Sequence, residues 1–231
     1  MVSKKNNKNK SLTNTIKPKA EDIVELLTRL KKHYPEAQCS LNYNTTFELL
    51  VATILSAQCT DERVNKVTAT LFRKYRTIND YASASLTELE QDIHSTGFFR
   101  NKAKNIQATA ERLIDQHQGK VPQTMDELIK LPGVARKTAN VVLGNAFGQA
   151  VGVVVDTHVR RISQLLGLTI ENIPEKIEQD LIKIIPKSDW IDFSHLLIYH
   201  GRQICKANRP QCQVCPLSDL CPSSKISNPL N

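Results

Sequence analysis

Apolar side chains recur along this chain mainly at helical spacing. Ile23, Leu26, Leu27 and Leu30 fall at i, i+3, i+4 and i+7, and the pattern stops at Tyr34-Pro35. Phe47–Ala57 is apolar nearly all round, which suits a helix buried in the centre of a bundle. Val64, Val67 and Leu71 make the next apolar face. Ala103, Ile106, Ala110, Leu113 and Ile114 make another, closed near Gly119. Ser85 to Glu88 and Thr124 to Glu127 have the spacing of a capping box. Further helices are predicted at 136–147, 157–166 with Gly167 as the stop, 175–185 and 191–205. The only strand-like run, Val151-Gly-Val-Val-Val155, is too short and isolated to build a sheet. The predicted fold is all-α, with nine or ten helices.

Length and charge refine this picture. At 231 residues the chain suffices for one large domain or two modest lobes, each with its own core. The formal net charge of +8 is unevenly spread, because residues 1–20 hold six lysines and no acid. They read as a disordered basic tail with at most a diffuse affinity for polyanions. The remaining body is nearly neutral, so a nucleic-acid footprint must come from local clustering. Two basic clusters stand out: Arg100, Lys102, Lys104 and Arg112 beside Glu111, and Arg136, Lys137, Arg160 and Arg161 beside Asp156. No apolar stretch approaches the roughly 20 residues that span a bilayer, and the N-terminus offers no secretory signal. A cytoplasmic location is expected, where a disulfide framework is a poor explanation for six cysteines.

Four of those cysteines are crowded together. Cys205, Cys212, Cys215 and Cys221 follow one another with six, two and five residues between them. Four thiolates so close in sequence can close around one metal centre, with zinc or iron–sulfur as the soft-ligand choices. Zinc ribbons pair two Cys-x2-Cys knuckles about 15–20 residues apart, and only one knuckle occurs here. The uneven spacing favours a [4Fe-4S] cluster. Cys39 and Cys59 lie far off, beside apolar helices, and read as ordinary buried cysteines.

Between the clusters, Leu131-Pro-Gly-Val-Ala135 forms a tight turn joining two helices. Gly133 supplies backbone freedom there, and the outward amides of Gly133, Ala135 and Arg136 suit a DNA phosphate. Lys137 lies in the first turn of the second helix, where the dipole disfavours an ammonium and Arg136 adds repulsion. It reads either as a nucleophilic amine or as a surface lysine on phosphate. Asp156 precedes Thr157-His-Val and reads either as a helix cap or as a functional carboxylate.

Together, Leu131-Pro-Gly-Val-Ala-Arg-Lys-Thr-Ala-Asn140, Val155-Asp-Thr-His158 and the cysteine spacing resemble the endonuclease III family of helix–hairpin–helix DNA glycosylases. Leu55-Ser-Ala-Gln-Cys-Thr-Asp61 resembles the family's early helix-end motif, and the likeness runs from about Glu21 to Cys221. The resemblance implies a six-helix barrel lobe over residues 39–149. A discontinuous iron–sulfur lobe would combine residues 21–38 with 150–226, and DNA would lie in the cleft between the lobes. It implies a monomeric base-excision-repair enzyme that removes oxidised pyrimidines from double-stranded DNA and nicks abasic sites by β-elimination. Lys137 would be the nucleophile and Asp156 the assisting carboxylate. Gln58 would fill the space of the extruded base, and Phe98 would be a wedge. Cys205, Cys212, Cys215 and Cys221 would hold the cluster, with Lys206 and Arg209 contacting the DNA backbone from its loop. Ala135 departs from the Gly usual there, at a cost of roughly 1 kcal/mol if a positive φ were required. Two alternatives are a monofunctional adenine-removing relative, which lacks the lysine and adds a C-terminal domain, and a non-catalytic zinc DNA-binding module.

Overall fold

The computed structural model describes residues 20–224. The basic tail before Ala20 lies outside them, as do residues 225 and 226 of the expected second lobe. Eleven α-helices occur among the described residues: α1 (Ala20–His33), α2 (Thr46–Leu55), α3 (Asp61–Lys74), α4 (Ile78–Ala82), α5 (Leu86–Asp92), α6 (Phe99–His117), α7 (Met125–Leu128), α8 (Arg136–Phe147), α9 (Thr157–Leu165), α10 (Pro174–Ile184) and α11 (Trp190–Gln203). Short 3-10 turns follow α5 (His94–Thr96), precede α11 (Lys187–Asp189) and lie in the cysteine region (Cys212–Val214). No strand occurs among the described residues; Val151–Val155 is an irregular connector, because no second strand is at hand to pair with it. None of these helices is long and apolar enough to cross a membrane.

Local chemistry sets several of the helix starts. Thr45, Thr60 and Asp156 each accept a hydrogen bond from a first-turn amide of the helix they precede. The capping expectations need correction. At Thr124 the hydroxyl accepts from the Glu127 amide but also donates to that residue's carboxylate, at 2.6 Å. Ser85 makes no side-chain cap bond. The complete reciprocal box belongs to Thr77 and Asp80, starting the five-residue α4 that the apolar pattern did not reveal. Ile114 does not join the buried face of α6 and is 37% exposed.

Buried apolar side chains fall into two clusters. One runs from Leu41 to Leu143 and centres on α2, whose residues 49–55 are all buried. The other joins Ile23, Leu26, Leu27, Leu30 and Tyr34 of the N-terminal segment to residues between Val153 and Leu217. Polar side chains connect the two sets of elements. Arg202 of α11 reaches Ser40 Oγ at 2.9 Å and Asp61 at 2.7 Å, and His195 Nε2 lies 2.9 Å from Asn145 Oδ1 of α8. One face of α6 carries Asn105, Thr109 and Arg112, all turned toward the 130–133 turn. Thr109 donates to the Pro132 carbonyl at 2.9 Å and Arg112 donates to that of Lys130.

Burial holds the His195 imidazole below its ordinary value, against the opposing pull of Asp192. The unfolded chain therefore takes up a proton near pH 6.5 that the native state resists, so this contribution to stability is full above that pH and is lost as pH falls. The denaturation midpoint should drop between about pH 7 and pH 5, and His195→Gln should flatten the drop in a pH series of urea melts.

Candidate active site and cysteine cavity

The turn between α7 and α8 places Gly133 at φ 73°. A Cβ there would sit 2.7 Å from Asn105 Nδ2 and 2.9 Å from Asn105 Cβ, so α6 leaves room for glycine alone. Ala135 has φ −83° and ψ 168°, ordinary extended geometry at the N-cap of α8. The suspected strain at Ala135 is absent. Gly133, Ala135, Arg136 and Lys137 are all exposed, and helix geometry leaves the first amides of α8 without intrahelical partners.

The two cations beside this turn differ in their surroundings. Arg136 forks onto Glu178 of α10, with Nε to Oε2 at 3.0 Å and Nη2 to Oε1 at 3.2 Å. Asn140 Nδ2 donates to the same Oε1 at 3.0 Å. Glu178 is 5% exposed, and the hydrogen bonds that Arg136 donates to its carboxylate hold the guanidinium well charged. The expected repulsion of Lys137 by Arg136 is thus neutralised. Lys137 itself has no ion pair or side-chain hydrogen bond among the described residues. Glu178 also abuts the connector to α9, since a Cβ on Gly152 would lie 1.9 Å from its Oε1. At the end of that connector Asp156 caps α9, with Oδ1 accepting from the Val159 amide at 2.7 Å. Both readings of Asp156 remain compatible, because its other oxygen has no protein hydrogen bond among the described residues.

The four clustered cysteines line one cavity of about 240 Å³ together with Arg161, His200, Ile204 and Leu217. Among the described residues no three His, Cys, Asp or Glu side chains are spaced to share a single metal ion. Four thiols lining one cavity are the soft donor set that zinc or an iron–sulfur centre takes. Arg161 Nη1 lies 3.6 Å from Cys205 Sγ while Nη2 donates to the Cys205 carbonyl at 2.6 Å. His200 Nε2 lies 3.6 Å from Cys215 Sγ, with Nδ1 at 2.9 Å from the Tyr34 hydroxyl. Burial pushes the Cys221 thiol up to about 11 and lowers His200 to about 4. Arg161, expected in the basic DNA-facing cluster, turns instead to the cysteine cavity. Lys206 and Arg209 are exposed on the loop between the first two cysteines.

Known proteins resemble this chain in sequence and fold. Residues 51–187 match the family model described as HhH-GPD superfamily base excision DNA repair protein. Endonuclease III of Synechocystis sp. is 57% identical over 217 residues, covering 94% of this chain and 99% of the relative. A solved non-covalent endonuclease III–DNA complex superposes with a TM-score of 0.85 at 50% identity, covering 91% of this chain and 98% of that one. A trapped endonuclease III–DNA covalent intermediate, the estranged-adenine complex, gives the same TM-score and identity over 91% and 99% of the two chains. The chain belongs to the endonuclease III family. It is a base-excision-repair DNA glycosylase with AP lyase activity.

In this family member two further expected residues stand on neighbouring loops. Gln58, just past α2, is exposed with φ 53°; Phe98, the N-cap of α6, has φ 48° and is 65% exposed. Phe98 is therefore not a core aromatic. Asp61, from the early motif, pairs with Arg202. Lys102, counted among surface cations, is 4% exposed. Sequence reasoning missed Glu178, whose partners stand 38 and 42 residues away with no local signal, and likewise His200 and the new role of Arg161. Glu178→Ala should leave Arg136 and Asn140 unpaired and cost about 2 kcal/mol, less than a fully buried ion pair because Arg136 is half-exposed. Chemical denaturation should show Glu178→Gln losing less.

Proposed function

We propose that Lys137 is the nucleophile of this glycosylase/AP lyase and Asp156 its assisting carboxylate. The observation that carries this reading is the contrast at the start of α8: Arg136 is committed to Glu178, while Lys137 is exposed and unpaired. Lys137 attacks sugar C1′ as the bond to the damaged base breaks, and the base leaves with its electron pair. Asp156, held by the Val159 amide, stabilises positive charge developing on the sugar. The attached amine loses a proton, the C1′–O4′ bond breaks with O4′ taking up a proton, and the opened sugar carries a protonated Schiff base at C1′; loss of a C2′ proton then expels the 3′ phosphate, and the strand is nicked 3′ to the lesion.

The substrates are oxidised, ring-saturated or fragmented pyrimidines in double-stranded DNA, together with abasic sites. Gln58 and Phe98 enter the stack as the base leaves it. Gly133, Ala135 and Arg136 present backbone amides to phosphate, and Lys206 and Arg209 add backbone contacts. The two hydrophobic clusters support a barrel lobe over 39–149 and a second lobe built from 21–38 and 150–226, with the DNA cleft between them. Cys205, Cys212, Cys215 and Cys221 would hold a [4Fe-4S] cluster. When bound, it organises the loop bearing Lys206 and Arg209 and supplies no base-removal chemistry. The enzyme acts as a monomer in the cytoplasm.

Borohydride should trap a covalent adduct on DNA carrying an abasic site or a dihydropyrimidine. Lys137→Ala should abolish it, and an adduct persisting in that variant would overturn the assignment. Asp156→Asn keeps a capping side chain, so it should fold and bind DNA while losing at least about 100-fold in turnover. Near-normal turnover would reduce Asp156 to a helix cap. The purified protein should be yellow-brown, and Cys221→Ala should lose that absorbance; a colourless protein carrying stoichiometric zinc would refute the cluster.

A further inference from the structure

One buried cation has no carboxylate partner among the described residues. Lys102 lies in the first turn of α6, 4% exposed, and its ammonium donates to the carbonyls of Leu55 and Thr96, both at 2.8 Å. Leu55 is the last residue of α2, and Thr96 ends the 3-10 turn after α5. Carbonyls at such termini lack onward helical partners, and a cation there meets the negative end of the helix. The Lys102 amide also donates to the Phe98 carbonyl at 3.2 Å. One residue therefore grips two chain segments that are distant in sequence. Burial works against its charge, pulling the amine below its ordinary value.

Just beyond each gripped carbonyl the chain takes an unusual conformation. Gln58 comes three residues after Leu55, and Phe98 two residues after Thr96. Both are exposed, and both hold left-handed backbone, at φ 53° and 48°. The remaining non-glycine residue of that kind among the described residues, Gln118, ends α6 as an ordinary helix C-cap. Left-handed backbone in a side-chain-bearing residue persists when its surroundings over-determine it. The Lys102 side chain is hydrogen-bonded to the segment before each of them.

We propose that Lys102 is a positioning residue that fixes the Gln58 and Phe98 loops at one separation, so that the two side chains enter the DNA stack as a unit when the damaged base is extruded. The proposal rests on the reading of Gln58 and Phe98 as stack-entering residues. Lys102 touches neither DNA nor the reacting sugar and acts through the two loops. Its contribution therefore belongs to opening the duplex and not to the bond-breaking steps at C1′.

The test separates those steps by substrate. Single-turnover base removal is measured for dihydrouracil in a fully paired duplex and for the same lesion inside an unpaired bubble, where extrusion is already largely done. Lys102→Met keeps the aliphatic stem without the cation. It should slow the paired substrate at least about tenfold and the bubble substrate less than about threefold. A 2-aminopurine beside the lesion should show a matching loss of the unstacking signal, while borohydride trapping on a pre-formed abasic site stays near the parent level. Lys102→Gln, which retains a donor for one carbonyl, should fall between and serves if the Met variant folds poorly. Equal losses on both substrates, or no loss on either, would overturn the proposal in favour of a purely structural lysine. Gln58→Ala and Phe98→Ala distinguish the two levels of the argument. If they show the pairing-dependent loss and neither Lys102 variant does, the positioning role fails alone; if they do not show it, the stack-entry reading fails first.

Discussion

The Glu178 carboxylate is the interaction on which the geometry of the candidate site depends. It comes from α10, takes both arms of Arg136 and the amide of Asn140 on α8, and lies against Gly152 on the way to Asp156. A carboxylate this buried is tolerable only when its lone pairs are filled, and three N–H donors do so. Because those donors stand on the helix that starts with the hairpin, satisfying the charge also fixes where α8 begins. The same carboxylate excludes any side chain at Gly152, which sets the path of the connector toward α9. Lys137 and Asp156 are thus placed by one polar contact that includes neither of them.

A second set of contacts steadies the hairpin from the opposite side. Asn105, Thr109 and Arg112 lie along one face of α6 and meet the turn with a close approach and two hydrogen bonds to its carbonyls. Gly133 is thereby required twice, by its positive φ and by the lack of space for a Cβ. Arg136, Arg161, Lys102 and Arg112 had looked like parts of a basic surface. Each instead donates to the protein itself: Arg136 to Glu178, Arg161 to the Cys205 carbonyl, Lys102 to the carbonyls of Leu55 and Thr96, and Arg112 to that of Lys130. Of the two clusters only Arg100, Lys104, Lys137 and Arg160 are left outward, joined by Lys206 and Arg209 on the cysteine loop, so the exposed cations are fewer than the clustered charge suggested. Most of the +8 lies in the tail outside the described residues.

Much of this was legible along the chain. The apolar stripe of Ile23, Leu26, Leu27 and Leu30 became the buried face of α1, and the all-round apolar run at 47–57 became the central α2, which stops two residues short at Leu55. Burial selects side chains at a fixed helical period, which accounts for both. The hairpin and cysteine motifs were equally visible, since their members lie within a few residues of one another. The short α4 was invisible to periodicity: five residues cannot display an apolar period, and only the Thr77–Asp80 box announces it. The cap at Ser85 failed for the converse reason, because a matching spacing does not fix the backbone angles that let the side chains meet.

The sequence by itself determined the all-helical class, the family motifs and which side chains could do chemistry, because local spacing and residue type suffice for those. It could not say that Arg136 would be committed while Lys137 stays free, or that Phe98 would stand exposed. Nor could it say that Arg161 would turn to the cysteine cavity. Those outcomes hang on pairs such as Arg136 with Glu178, Arg161 with Cys205 and Lys102 with Leu55, separated by roughly 40 or more residues. The energy of a buried charge depends on which acceptors surround it in three dimensions. Only the tertiary structure decides that, by bringing the partners to one place and removing the water.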